Sequence, residues 1–157
     1  MTITGRQGAA GGRRARSHAR RLVLQALYEL QLNPRPWLEI ARDLEGDAAA
    51  DRADRGYFRE SLGAVADRRE ELDAVIAKYG DIAPPALDPI EHGVLWLGVY
   101  ELGHRPELPY RVAIAEALEL AKRFGATGAH KFVNAVLDRA ARELRPLEYG
   151  RERGSPA

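Results

Sequence analysis

Residues 88–102, DPIEHGVLWLGVYEL, constrain the fold more than any other stretch of the chain. Ile90, Val94, Leu95, Trp96, Leu97, Val99, Tyr100 and Leu102 put apolar side chains nearly all round a helix, the mark of one buried among other helices. Its start is well marked, with Asp88 placed to cap, Pro89 at the first helical position and Glu91 at the third. Gly93 and Gly98 cost about 1 kcal/mol each relative to alanine, which close approach of neighbouring helices would offset.

The rest of the chain carries helix periodicity and no convincing alternating strand pattern. The spacing predicts helices over 14–32, 36–44, 50–67, 69–79, 89–103, 110–124 and 128–144. Gly80 and Gly125 read as helix stops, and Thr127 as a cap for the last helix. Residues 110–124 carry Ile114, Ala117, Leu118 and Ala121 on one face; residues 128–144 carry Val133, Val136, Leu137, Ala140 and Leu144. The expected fold is all-α, with about seven helices. Residues 1–12 are Gly-rich and expected to be disordered, and residues 147–157 to form a flexible tail, leaving 13–146 as the folded domain.

Composition narrows function mainly by exclusion. With 157 residues there is one domain's worth of chain, and with no cysteine there is no disulfide scaffold, thiol nucleophile or thiolate metal site. No apolar run approaches the roughly 20 residues needed to span a bilayer, and the Arg- and Gly-rich start is not a secretory signal. The expectation is a soluble, cytoplasmic protein without a membrane partner. His18, His92, His104 and His130 are dispersed, and none of the three serines lies in a GxSxG elbow. No phosphate-cradling glycine loop occurs. Neither an enzyme, a cofactor nor a metal is expected.

The overall net charge of +1 hides an asymmetry. Residues 1–28 hold Arg6, Arg13, Arg14, Arg16, Arg20 and Arg21 and no acid, leaving the other 129 residues with 18 basic and 23 acidic side chains. A basic arm on an acidic body points to a polyanion bound at one end. At 100° per residue, Ala19, Leu22, Val23, Ala26, Leu27 and Leu30 form the buried stripe of the first helix. Arg14, His18, Arg21, Gln25 and Tyr28 line up opposite, with Arg13 and Arg20 along one border. Arg16 projects toward the stripe, exposed only if the bundle ends below that turn. Arginines neutralise phosphates and stack, tyrosine offers a π-face to an unstacked base, and glutamine can read a base edge, a set suited to single-stranded RNA. The same pattern also fits an ordinary solvated face. In HKFVNAVLD (130–138), Lys131 points outward and Phe132 lies at the stripe's edge, where it could stack a base, anchor a partner or fill a gap in the core.

Four segments together resemble the NusB family of bacterial transcription antitermination factors: ARRLVLQALYELQ (19–31), DPIEHGVLWLGVYEL (88–102), PYRVAIAEALELAKRFG (109–125) and HKFVNAVLDRAARELRP (130–146). The resemblance implies an all-helical fold of two packed helical sub-bundles. It also implies a heterodimer with a ribosomal small-subunit protein, NusE, that binds boxA RNA and helps RNA polymerase, with other Nus factors, read through terminators in ribosomal RNA operons. The family's basic segment maps to Arg13 through Arg21, and Phe132 matches its aromatic near the RNA. Tyr28 and Glu91 match positions that lie toward the protein partner. The chain departs from the family at Ala115 (often Asn), at Gly128 (often acidic) and at Ser17-His18, which replaces basic residues of some members.

Two other readings compete. One is a relative of the RNA-binding domain of ribosomal RNA cytosine methyltransferases; it needs a Rossmann-type catalytic domain, which residues 1–157 do not supply. The other is a protein–protein adaptor whose arginines only solubilise the arm. An apolar helix face could also support a homodimer of the free protein.

Overall fold

The computed structural model describes residues 4–152, with side chains from Gly12 to Arg151. Six of the seven expected segments are α-helices, and the expected 50–67 is a 3-10 turn followed by a shorter helix. In chain order the helices are α1 (Thr4–Leu32), α2 (Trp37–Glu45), α3 (Arg55–Asp67), α4 (Arg69–Tyr79), α5 (Pro89–His104), α6 (Tyr110–Phe124), α7 (Ala129–Leu144) and α8 (Pro146–Glu152), with 3-10 turns at Ala48–Arg52 and Pro84–Ala86. No strand occurs among the described residues. The disorder expected over residues 1–12 falls largely outside what is described: residues 1–3 altogether, and of 4–11 all but the backbone, which is helical.

The chain divides into two compact units, one through Asp67 and one from Arg68. In the first, α1 packs on α2 and α3. The expected stripe of α1 is its core face, with Ala19, Leu22, Val23, Ala26, Leu27 and Leu30 all buried beside Ile40, Phe58, Leu62 and Val65. Each large aliphatic side chain so buried contributes about 1.5–3 kcal/mol. A Cβ on Gly63 would come within 2.7 Å of the Trp37 ring, so the bare glycine lets α2 and α3 approach. Arg59 spans the same pair, donating twice to the Glu45 carboxylate at 2.7 Å. The expected helix 50–67 is interrupted before α3, because Asp54 turns its N–H out to the Ala15 carbonyl of α1 (2.9 Å). Its carboxylate meanwhile accepts the Tyr57 N–H at 3.0 Å, capping α3.

In the second unit α5 is central, packed by α4, α6 and α7, and every residue from His92 to Leu102 is buried. A Cβ on Gly98 would lie 2.8 Å from Leu137 Cδ1, which is the close approach that the apolar helix required. Two capping expectations are corrected. Asp88 begins α5 with its carbonyl, which accepts the His92 N–H at 2.9 Å, and makes no side-chain cap. The α7 cap position belongs to Gly128, at φ 85°, and not to Thr127.

The flexible tail expected from residue 147 is also corrected over its first part, where α8 forms. Glu148 accepts the Tyr110 N–H at the start of α6 (2.9 Å) and the Arg145 guanidinium (2.6 Å). Buried Tyr149 packs on Tyr110 and donates to Asp138 (3.0 Å). Tyr110 and Asp138 lie on other helices, so a seven-residue segment without an apolar stripe gives no local sign of these two anchors. Residues 153–157 lie outside the described residues.

Candidate nucleic-acid interface

The first unit presents Arg13, Arg14, Gln25 and Tyr28 as exposed side chains on α1, with His18 and Arg21 half-buried between them. Arg14, His18, Arg21, Gln25 and Tyr28 follow one another at spacings of three and four residues. They therefore share a face that runs about 21 Å along the helix. The Arg21 guanidinium donates to His18 Nδ1 at 3.3 Å. A guanidinium can only donate, so Nδ1 is the acceptor in this contact.

Two arginines of the segment behave differently. Arg20, expected on a border of the buried stripe, is only 3% exposed. It stands one turn after Arg16 on the border that α3 covers, with its guanidinium carbon 5.5 Å from the centre of the Tyr57 ring. Arg16 does project toward the bundle, yet it stays half-buried, with its guanidinium 4.4 Å over the same ring. Tyr57 went unnoticed in the sequence because it meets these arginines only through the packing of α1 on α3. The sole local hint is an aromatic pair, Tyr57-Phe58, in which both rings need burial.

In the second unit, Lys131 is exposed and Phe132 half-buried at the start of α7. A Cβ built on Gly80 would lie 3.5 Å from Phe132 Cζ, so the ring tip leans on the turn after α4. Gly128, just before α7, occupies the left-handed region at φ 85°. The residues expected to face a protein partner also fall at surfaces: Tyr28 is 40% exposed, and Glu91 is half-buried in the first turn of α5. Burial pushes the Glu91 carboxyl above its ordinary range, and the neighbouring Asp88 adds to the effect.

A sequence model of the NusB family matches residues 17–142. The chain belongs to the NusB family. It is 44% identical over 153 residues to the transcription antitermination protein NusB of Methylobacillus flagellatus, covering 98% of this chain and 99% of that protein. The NusB of Pseudoalteromonas atlantica is 46% identical over 134 residues, covering 85% and 96%. Among solved structures, T. maritima NusB superposes with a TM-score of 0.75 at 28% identity, over 86% of this chain and 96% of that one. A crystal structure of antitermination factors NusB and NusE in complex with dsRNA shares the fold (TM-score 0.71, 23% identity, 81% and 96% covered). Within the NusB-matched span lie His18, Arg20, Arg21, Gln25, Tyr28, Glu91, Lys131 and Phe132, whereas Arg13, Arg14 and Arg16 precede it. Among the described residues, no helix is long and apolar enough to cross a membrane.

Proposed function

We propose that this chain is a transcription antitermination factor of the cytoplasm that acts by binding and not by catalysis. It takes boxA-type single-stranded nascent RNA together with the ribosomal small-subunit protein NusE. With other Nus factors and RNA polymerase, the complex promotes read-through in ribosomal RNA operons. Residues 13–146 are the working domain. Support for the class comes from the family and from relatives that carry the name transcription antitermination protein. The observation that carries the RNA reading is the outward, acid-free face of α1 with Arg13 and Arg14 exposed.

Arg13, Arg14, Arg16 and Arg21 supply phosphate contacts, which dominate affinity and carry no sequence information. His18, Gln25, Phe132 and Lys131 add hydrogen bonds, a π-face and a further cation, which discriminate modestly among unstacked bases. Tyr28 and Glu91 are assigned to the protein partner. Arg20 is left out of the contact set because its guanidinium is covered.

The test is anisotropy of a labelled single-stranded boxA-type RNA titrated with the protein over a range of salt. Replacing Arg13 and Arg14 together by alanine should weaken binding and flatten the slope of log K against log salt by about 1.4, the value for two single-strand phosphate contacts. An unchanged slope rejects the α1 face as the RNA site. The same strand annealed to its complement should bind more weakly than the single strand. Binding of NusE without any RNA affinity, alone or in the pair, would favour the adaptor reading.

A further inference from the structure

The Arg-rich segment is not simply a solvated helix end, because the first turn of α3 holds it from the side. The Asp54 N–H donates to the Ala15 carbonyl at 2.9 Å, which fixes the entry to α3 directly beside Arg16. The Asp54 carboxylate accepts the Tyr57 N–H at 3.0 Å and sets the helical turn that carries the tyrosine. The Tyr57 ring, 3% exposed, then lies 4.4 Å under the Arg16 guanidinium. Arg16 itself keeps part of its surface in solvent.

A guanidinium stacked on a ring uses its face, and its N–H donors point outward in its own plane, where a phosphate oxygen is met. We propose that Tyr57 is a positioning residue for RNA: its ring holds the Arg16 guanidinium in one orientation, ready to pair with a backbone phosphate. An arginine free in solvent must surrender its rotamer freedom when it pairs, and stacking in the unbound protein removes much of that cost. This inference rests on the RNA reading of α1. It adds a residue some forty positions away from the basic segment, one that touches no RNA itself.

The charge on Arg16 and its orientation can be separated experimentally, because salt dependence reports charge alone. With full-length protein and the single-stranded boxA-type RNA, Arg16→Ala should weaken binding and flatten the salt slope by about 0.7. Tyr57→Leu should weaken binding about three- to tenfold at every salt concentration and leave the slope unchanged, since the guanidinium is still present. Tyr57→Phe keeps the ring and should bind as the parent does. In an Arg16→Ala background, Tyr57→Leu should add nothing, whereas a general loosening of the unit would weaken both backgrounds equally.

Should Tyr57→Leu fail to fold, Arg16→Lys takes its place: it keeps the charge, loses the planar stack, and should weaken binding with the slope intact. Parent-like binding by Tyr57→Leu (or, in its place, by Arg16→Lys) overturns the proposal, as does equal weakening in both backgrounds. If Arg13→Ala/Arg14→Ala also binds as the parent, the RNA reading itself has failed; if that variant weakens binding, only the positioning role has.

Discussion

Gly128 and Gly98 show how single positions are decided by different physics. Gly128 sits at φ 85° with open space around it, so a side chain there meets no neighbour and only the backbone objects. Gly128→Ala should lower stability by about 1–2 kcal/mol, the cost of the left-handed region for an L-residue, read as a shift of the urea midpoint. Gly128→Asn should lose less, because asparagine tolerates that region better. At Gly98 the backbone is helical and the neighbour objects. A methyl group there would gain about 1 kcal/mol of helix propensity but would press on fully buried Leu137. Overpacking of this kind costs about 1–3 kcal/mol. Gly98→Ala should therefore be neutral to destabilising, and its cost should shrink in a Leu137→Val background, a non-additivity that urea titrations of the four proteins would show.

At the scale of elements, two arginines tie helices together by different means. Buried Arg145 donates to the carbonyls of Leu102 (2.7 Å), Arg105 (2.9 Å) and Glu101 (3.2 Å) at the end of α5. It also reaches Glu148, which holds the start of α6. The Glu101 and Arg105 carbonyls also accept the backbone N–H groups of Arg105 and Leu108, so the guanidinium is a second donor there, and a cation at this end complements the helix dipole. Arg145→Met should cost about 3–5 kcal/mol, since it takes the guanidinium donor from the Leu102 carbonyl and leaves the partly buried Glu148 carboxylate without its cation; a loss below about 1 kcal/mol in urea unfolding would refute the clamp. Between α2 and α3, the two hydrogen bonds from Arg59 hold the Glu45 carboxyl below its ordinary range. Unfolded, Glu45 returns to about 4.3, so the unfolded chain takes up a proton that the folded one refuses. The stabilisation is full above that value and is lost as pH falls toward the depressed one. The advantage of the parent over Glu45→Gln should thus be present near neutrality and shrink as solutions are taken down to about pH 3, measured as urea midpoints.

For the whole molecule, charge is uneven along the chain: residues 1–28 carry no acid, and the other 129 residues are net negative. Tyr28 and Glu91 belong to different units, and neither is in the proposed phosphate-binding set. Tyr28→Ala and Glu91→Ala should each weaken NusE binding in calorimetry while leaving the RNA affinity of the protein alone unchanged. A loss of that RNA affinity would overturn the division of labour. The all-α class, the seven main helices and the outward face from Arg14 to Tyr28 were legible in the sequence. Helical periodicity is local, and an apolar stripe of six residues forces one face inward whatever covers it. What covers it was not legible. Only the packing of α1 on α3 put Tyr57 beneath Arg16 and buried Arg20, because the choice between a solvated and a covered border depends on a helix some forty residues away. The contacts of Glu148 with Tyr110 and of Tyr149 with Asp138 hold α8 from outside its own sequence, where no local pattern asks for a helix. Periodicity and charge set each helix's inner and outer faces, and tertiary contact settled the side chains standing at the borders between them.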